Sequence, residues 1–461
     1  MTRHPWLRAA ACALLLADMA TAQYRSADES FSMALTGDSI ITRKLSVYDE
    51  PEYLGMIELL RSADVAFTNL EMLFHDYEPY PMAESGGTWM RADPKLAHDL
   101  VWAGIDLVSR ANNHTGDYGV LGQTLTTRYV EEAGLVHAGV GMSLAEAREA
   151  KFLETAKARV ALVSISSSFR DHMRAGRSRD DVPARPGLNP LRLKTTYVLP
   201  SADYENFRRT GEALDEFTDQ DGNPTGMDAD KPGEMEMLGR DFALGDAHAI
   251  RREANADDVR EISAVVNNAS RVADFVIVTI HAHEHGGRRE IPADFLPVFA
   301  RAMIEAGADV FVGHGPHVLR AIEIYRGRPI FYSLGNFIFQ NETLLRLPSE
   351  NYEAYDLDDE SHVADFNDAR YKNDTEGFPA LAENWESVVA VPAFRGGELS
   401  EVALYPITLG GGLPRQVRGR PLLADADLGR KIIGDLQRLS APYGTEIVMR
   451  RGVGYVQLAN D

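Results

Sequence analysis

The sequence is poor in cysteine and in long apolar runs. Cys12 is the only cysteine among 461 residues, and it lies inside an apolar run near the start of the chain. If that run is cleaved off, no thiol remains for a disulfide, a thiolate nucleophile or a cysteine-type metal site. None of the later apolar runs approaches the length needed to span a bilayer.

Basic residues are also scarce, because 47 Lys and Arg stand against 69 Asp and Glu, and the net charge is -22. Because the protein is this acidic, nucleic acid and anionic membranes repel it, and we expect neither as a main partner. The composition of 44% hydrophobic and 8% aromatic residues excludes a disordered chain. The sequence predicts an acidic globular protein, and its oligomeric state stays open.

Residues 1–22 are predicted to be a signal peptide. Two arginines precede an apolar run at 9–17, and Ala20-Thr21-Ala22 supplies an Ala-x-Ala cleavage site. The run is too short for a stable membrane anchor. We therefore expect cleavage after Ala22 and a periplasmic or secreted product without a transmembrane anchor.

From Phe31 onward, short apolar runs alternate with longer amphipathic stretches, which predicts βα units in an α/β fold. The stretches at about 200–250 and 343–378 break this rhythm and are predicted to be insertions. Long insertions are often lids or substrate loops, and a plain surface excursion is the alternative.

The end of the chain shows a different pattern. After Glu386, apolar residues alternate with polar ones, and an amphipathic helix is predicted at about 425–439. We expect a main domain over 23–410, followed at 411–461 by a C-terminal helix and an antiparallel β appendage packed on the same core.

Polar side chains follow five of the predicted strands. Because parallel strands present their carboxyl ends at one edge of a sheet, we expect these side chains to converge. Imidazoles and carboxylates bind Zn, Mn and Fe(II), and a bridging carboxylate can hold two ions about 4 Å apart. The sequence therefore predicts a site for one or two divalent transition-metal ions. In chain order the sets are Asp38, Asn69 with Glu71, Asn112 to His114, His281 with His283, and His314 with His317.

Several neighbouring residues have candidate roles in chemistry. Asn113 would add an amide oxygen, His114 could give a proton to a leaving group, and Asp117 could orient that imidazole. Arg170 could bind an anionic substrate or lie in a solvated loop. The sequence contains no G-x-S-x-G elbow, Walker A loop or H-E-x-x-H helix.

These residues, in this order, resemble the CapA family of bacterial capsule-synthesis, poly-γ-glutamate-type proteins over about residues 31–410. The resemblance implies a four-layer α/β/β/α sandwich of the calcineurin-like metallophosphoesterase type, with its metal site at one edge of the sheets. His114 matches the catalytic acid. The matching stretches are GDSI, ADVAFTNLE, ANNHTGDYG, AGADVFVGHGPHVL and IFYSLGNFIF, and the matching ligand positions are Asp38, Glu71, Asn113, His281, His314 and His317.

The sequence departs from the family pattern at two places. The Asp-x-His opening of the phosphoesterases is here Asp38-Ser39-Ile40, so one metal position lacks a ligand. Many relatives read HWGxE where this chain reads HAHEH at 281–285, so His283 or His285 could restore a ligand or act as a general base. The candidate substrate contacts are Asn69, Arg170 and Asn336.

Three functions fit these expectations. The first is a metal-dependent hydrolase or transferase acting on a phosphoester or on a γ-glutamyl or similar amide bond. The second uses the same metal centre for proton abstraction, as an epimerase or an aldehyde-releasing carbon–carbon lyase, on a small organic or peptide substrate. The third is a non-catalytic protein of capsule or polymer assembly, in which the metal is structural.

Overall fold

The computed structural model describes residues 30–219, 221, 225–226 and 231–458. The predicted signal peptide lies outside the described residues and stays a prediction. Within the described part of the chain, none of the helices combines the length and the apolar character that a membrane span requires.

The described residues form short strands and helices that alternate for most of the chain. The strands are β1 (Ser30–Ile40), β2 (Val65–Leu70), β3 (Leu73–Phe74), β4 (Arg91–Ala92), β5 (Leu107–Ser109), β6 (Val136–Ala138), β7 (Val140–Gly141), β8 (Lys151–Glu154), β9 (Arg159–Ser166), β10 (Gly187–Leu188), β11 (Leu193–Leu199), β12 (Glu234–Met237), β13 (Arg240–Leu244), β14 (Ala249–Ala254), β15 (Phe275–His281), β16 (His285–Gly286), β17 (Arg288–Pro292), β18 (Val310–His314), β19 (Ile322–Tyr325), β20 (Arg328–Phe331), β21 (Asn336–Phe339), β22 (Glu386–Arg395), β23 (Glu398–Thr408), β24 (Leu422–Leu423), β25 (Ile447–Arg450) and β26 (Val453–Val456). The α-helices are α1 (Pro51–Ser62), α2 (Leu96–Ala103), α3 (Gly119–Glu132), α4 (Leu144–Arg148), α5 (Ser201–Ala213), α6 (Ala256–Ala269), α7 (Phe295–Glu305), α8 (Ser349–Glu353), α9 (Val363–Tyr371) and α10 (Ala426–Ser440).

Two large sheets form the centre of the molecule. The first has the strand order β25-β26-β23-β22-β1-β2-β5-β6, with β21 beside β1 and β24 beside β23. The second has the order β19-β20-β18-β15-β9-β8. Strands β1, β2, β5 and β6 are parallel in the first sheet, and β9, β15, β18 and β20 are parallel in the second. Each sheet therefore gathers the carboxyl ends of its parallel strands at one edge.

The sheets stack face to face with helices on both outer faces. Strand β15 shows the arrangement, because it is buried throughout and its side chains alternate between two cores. Ile277 packs into the core between the sheets, whereas Val276 and Val278 pack against α6 and α7. Helices α1 and α2 cover the outer face of the first sheet in the same way. The fold is the expected four-layer α/β/β/α sandwich.

The C-terminal strands are continuous with the first sheet. Strand β22 pairs antiparallel with β1, and β23, β26 and β25 follow in antiparallel order. Helix α10 buries Ile432, Ile433 and Leu436 in the core between the sheets. The predicted antiparallel β segment is therefore part of the main sheet, and the expected boundary at 410 falls between two of its hydrogen-bonded strands.

The two predicted insertions contain regular structure. Around the first, β12, β13, β11 and β14 form a four-stranded sheet, and Tyr204, Phe217 and Met235 belong to a small core of its own. The second contains α8 and α9. The guanidinium of Arg418 binds the buried Glu342 and Asp374, which fixes this segment to the main body.

Candidate metal centre

The carboxyl ends of the parallel strands of both sheets meet at one edge of the molecule. Asp38 lies beside Asn69 on one neighbouring strand and Asn336 on the other, and His281 pairs with His314 in the second sheet. The backbone N–H of Gly315 donates to Asp38 Oδ2 at 2.9 Å, which connects the two sheets directly. The polar sets predicted from sequence therefore share one buried site.

Close approach of two backbone segments positions Asp38. The N–H of Asp38 donates to the carbonyl of Gly335 at 3.0 Å. A Cβ atom on the preceding Gly37 would lie only 1.9 Å from that same oxygen. Glycine is required at position 37 for a steric reason, because any side chain there would displace the loop that follows β20.

One group of candidate ligands consists of Asp38, His281 and His314, all fully buried. Asp38 Oδ1 lies 3.6 Å from His281 Nδ1 and 3.5 Å from His314 Nδ1, and those two nitrogens are 3.0 Å apart. The other nitrogen of His314 is paired with Thr279 Oγ1 at 2.7 Å, so Nδ1 is left to face the group.

A second group consists of Glu71, His283 and His317. Glu71 Oε1 lies 4.0 Å from His317 Nε2 and 3.7 Å from His281 Nε2, which places the two groups side by side. His317 Nδ1 is paired with Asn336 Oδ1 at 2.8 Å, so Nε2 faces the group. Within each group the candidate ligand atoms all lie within 4.8 Å of one another.

The charges and hydrogen bonds of the site fit a divalent cation. Among the described residues, both carboxylate oxygens of the fully buried Glu71 and the Oδ1 of Asn113 have no hydrogen-bond partner. Burial, followed by the nearby Asp38, raises the pKa of Glu71 well above its usual range. Burial lowers the pKa of His314 to about 3, which keeps the imidazole neutral. Neutral imidazoles and an uncompensated carboxylate are what a divalent metal ion binds.

The loop after β5 places His114 and Asp117 against these two groups. His114 Nδ1 is 2.6 Å from Asp117 Oδ2, and His114 Nε2 is 3.7 Å from Glu71 Oε1. Asp117 also accepts the backbone N–H groups of Gly86 and Met90, each at 2.9 Å. The imidazole of His114 is thus held with its free nitrogen toward the candidate metal groups.

The remaining predicted site residues are Asn69, Asn336, Arg170 and His285. Asn69 and Asn336 are fully buried. Asn69 donates to Asp38 Oδ1 at 2.8 Å, and Asn336 Oδ1 is paired with His317 Nδ1 at 2.8 Å, so both orient candidate ligands. Arg170 has an exposed side chain whose Nε donates to the carbonyl of Ser85 at 3.2 Å. His285 lies on β16, and among the described residues it makes no hydrogen bond or ion pair to either group.

The sequence interpretation missed Arg320, which is fully buried beside the site. Its guanidinium donates to the backbone carbonyls of Ala282 at 3.2 Å, Glu284 at 2.8 Å and Arg289 at 2.8 Å. The signal in the sequence was a single charged residue three positions after His317 in an otherwise apolar run. It ties the segment that carries His283 to the segment that carries His317.

A four-layer α/β/β/α sandwich that gathers carboxylates and imidazoles at the carboxyl ends of its parallel strands defines an α/β protein with a candidate metal centre at the edge of its sheets. The chain belongs to the bacterial capsule synthesis protein PGA_cap family, whose model matches residues 32–341.

Comparison with curated proteins finds relatives along nearly the whole chain. The uncharacterized protein y4sH of Sinorhizobium fredii is 40% identical over 444 residues, which cover 93% of this chain and 94% of that protein. The capsule biosynthesis protein CapA of Bacillus anthracis is 23% identical over 319 residues, 68% of this chain and 60% of that one. A probable polyglutamine synthesis accessory protein of Mycobacterium tuberculosis is 38% identical over 89 residues, 19% of this chain and 23% of that one.

Among solved structures, the NAD nucleotidase of Haemophilus influenzae aligns with a TM-score of 0.29 and 8% identity. The alignment covers 89% of this chain and 56% of the nucleotidase.

Proposed function

We propose that this protein is a periplasmic or secreted metal-dependent hydrolase or transferase that acts on a phosphoester or on a γ-glutamyl or similar amide bond. The observation that carries the proposal is the convergence of two carboxylate–imidazole groups with the His114–Asp117 pair. One or two ions of Zn, Mn or Fe would be held by Asp38, Glu71, Asn113, His281, His314 and His317.

A bound ion would supply an activated water and would stabilise negative charge on the reacting oxygen. The protein's own contribution is to place a proton near the leaving group. Asp117 accepts a hydrogen bond from His114 Nδ1 and stabilises the protonated ring, so Nε2 can donate its proton. The 3.7 Å between His114 Nε2 and Glu71 Oε1 places that donor beside the candidate ligands.

The family supports the amide branch of the proposal. The B. anthracis relative is named for capsule biosynthesis, and the M. tuberculosis relative is named for polyglutamine synthesis. A γ-linked glutamyl polymer or a fragment of it is therefore a substrate to test first, together with simple phosphoesters.

A proton-abstraction enzyme is the second candidate, because the site contains an imidazole, His283, beyond the ligand set that the family resemblance implies. It would act as an epimerase or as an aldehyde-releasing carbon–carbon lyase. Turnover in oxygen-18 water and in heavy water separates the two classes. Hydrolysis incorporates the oxygen label, whereas epimerisation incorporates deuterium at carbon.

A non-catalytic role in polymer assembly is the third candidate, favoured by the word accessory in the name of the M. tuberculosis relative. The protein should first be purified without chelators, analysed for metal and screened with phosphoesters and γ-glutamyl amides. Asp38→Asn and His314→Ala are expected to lose metal and turnover together. Full activity in both variants would exclude metal-dependent catalysis, and metal binding without any turnover would favour the assembly role.

A further inference from the structure

The opening motif of this chain lacks the histidine that the phosphoesterase pattern provides, so one metal position lacks a ligand. The residue two positions after Asp38 is Ile40, which is 1% exposed and packs in the apolar core behind the first sheet. An isoleucine there offers no ligand atom to a metal ion. Without His283, the acidic and imidazole ligands of the second group would be Glu71 and His317 alone.

We propose that His283 is the third protein ligand of this second position, in place of the missing histidine of the opening motif. This inference rests on the proposed metal-dependent function. His283 Nε2 lies 2.9 Å from His281 Nε2, and its ring meets the ring of His317 edge-on at 5.5 Å between centroids. The candidate ligand atoms of Glu71, His283 and His317 all lie within 4.8 Å of one another. That is close to the separation of about 3–4 Å between ligand atoms that bind one ion at about 2.0–2.2 Å.

The backbone around His283 is fixed on both sides. The N–H of His283 donates to Ser168 Oγ at 2.8 Å. The guanidinium of Arg320 donates to the carbonyls of Ala282 and Glu284, the residues immediately before and after His283. A ligand needs a fixed direction, and these three hydrogen bonds supply it.

His285 provides the matched control. It lies two residues farther along the same segment and is likewise partly exposed, yet the described structure gives it no contact with Glu71, His281 or His317. Its backbone carbonyl accepts from Arg252 instead. His283 and His285 are therefore the same residue type in the same segment, but of the two it is His283 that lies beside the candidate ligands.

Metal stoichiometry of the full mature chain tests the inference without any substrate. Zn²⁺ is titrated into metal-free protein by equilibrium dialysis, and bound zinc is measured by mass spectrometry. We expect two ions per chain in the wild type and in His285→Ala. In His283→Ala and His283→Gln we expect one tightly bound ion and at least a hundredfold weaker binding of the second.

Three outcomes overturn the inference. The first is two tight ions in both His283 variants, and loss of turnover in that case would assign His283 as a general base. The second is a single ion in the wild type, because no second position would exist. The third is loss of both ions in His283→Gln with an unchanged near-UV circular dichroism spectrum. Wild-type protein that binds no zinc, manganese or iron would instead contradict the proposed function itself.

Discussion

At the scale of single residues, His114 is the side chain whose role can be separated from metal binding. It contacts Asp117 and faces Glu71, and it belongs to neither of the candidate ligand groups. We expect His114→Gln to lower kcat by about 10²–10⁴-fold, the range for loss of a general acid. Metal content should stay at the wild-type value.

The measurement uses a chromogenic phosphoester or γ-glutamyl anilide, whichever the wild type cleaves, with bound metal determined on the same preparation. Substrates whose leaving group needs no proton, such as p-nitrophenolate, should lose less rate than alkyl analogues. Equal losses on both kinds of substrate, or loss of metal from His114→Gln, would contradict the role of His114 as acid.

A buried histidine away from the centre predicts part of the pH dependence of stability. His75 is fully buried, its Nδ1 accepts the N–H of Tyr77 at 3.1 Å, and burial lowers its pKa from 6.5 to about 4. Well above pH 6.5 the ring is neutral in both the folded and the unfolded state. As the pH falls from 6.5 to 4, His75 binds a proton in the unfolded chain but stays neutral in the folded chain. The free energy of unfolding therefore falls by at most about 3 kcal/mol.

Urea unfolding of wild type and His75→Gln at several pH values between 4 and 7.5 measures this effect. The variant should be less stable at pH 7.5, because a buried contact is lost, and its stability should fall less steeply toward pH 4. Parallel pH profiles for the two proteins would show that His75 does not carry the effect.

Sequence reasoning predicts the residues that form the candidate site, but it does not decide between His283 and His285, which are two positions apart. Asp38, Glu71, His281 and His314 were predicted because each follows a strand, and parallel strands end at a common edge. Alternation of side chains between the two faces of a strand applies only up to His281, where β15 ends. It therefore cannot tell which of His283 and His285 points toward the site. The separation depends on hydrogen bonds to distant residues, which local pattern does not contain.

Among the elements, the loop at 82–90 contacts Asn113 and Asp117. Two adjacent glycines in this loop allow its packing role to be tested. The carbonyl of Gly86 accepts from Asn113 Nδ2, and its N–H donates to Asp117. A Cβ on Gly86 would lie 2.2 Å from the carbonyl oxygen of Asn113, whereas a Cβ on Gly87 would meet only His114 Cε1 at 4.0 Å.

We therefore expect Gly86→Ala to lower turnover about ten- to a hundredfold, since it displaces the groups that hold Asp117 and Asn113. It should also destabilise the protein by about 1–3 kcal/mol. Gly87→Ala should stay within about 0.5 kcal/mol of wild type. Turnover and thermal unfolding of both variants check this pair of predictions, and equal behaviour of the two alanines would refute the packing argument.

Elements differ in how far sequence predicted them. The buried parallel strands were clear because they are continuous apolar runs between turn signals. The segment at 200–250 was expected to be an insertion, yet its strands join β11 and β14 in a sheet with a core of a few residues around Tyr204 and Phe217. So small a core leaves too few apolar positions to produce a readable alternation. The joining of β22 to β1 brings together residues more than 350 positions apart, and no local pattern reports such a pairing.

At the scale of the whole molecule, the candidate metal centre lies where the two sheets meet. The first sheet contributes Asp38 and Glu71, and the second contributes His281 and His314. A direct hydrogen bond runs across this edge from the backbone N–H of Gly315 to Asp38. Without a cation, the same edge holds two carboxylates whose burial raises their pKa values. A bound ion would thus act on folding as well as on chemistry, because it would join both sheets.

This arrangement predicts that metal stabilises the molecule as a unit. At a free metal concentration of 100 times Kd, each ion that binds only the folded state adds about 2.7 kcal/mol. For a chain of this length that corresponds to a rise in Tm of about 3 °C for each ion. Calorimetry of chelator-treated protein before and after Zn²⁺ addition measures the rise. His314→Ala, which removes a ligand from the second sheet, should reduce it by at least half. Hydrogen exchange should slow in β1 and β15 together on metal addition, whereas protection gained in only one of the two sheets would contradict a metal link between them.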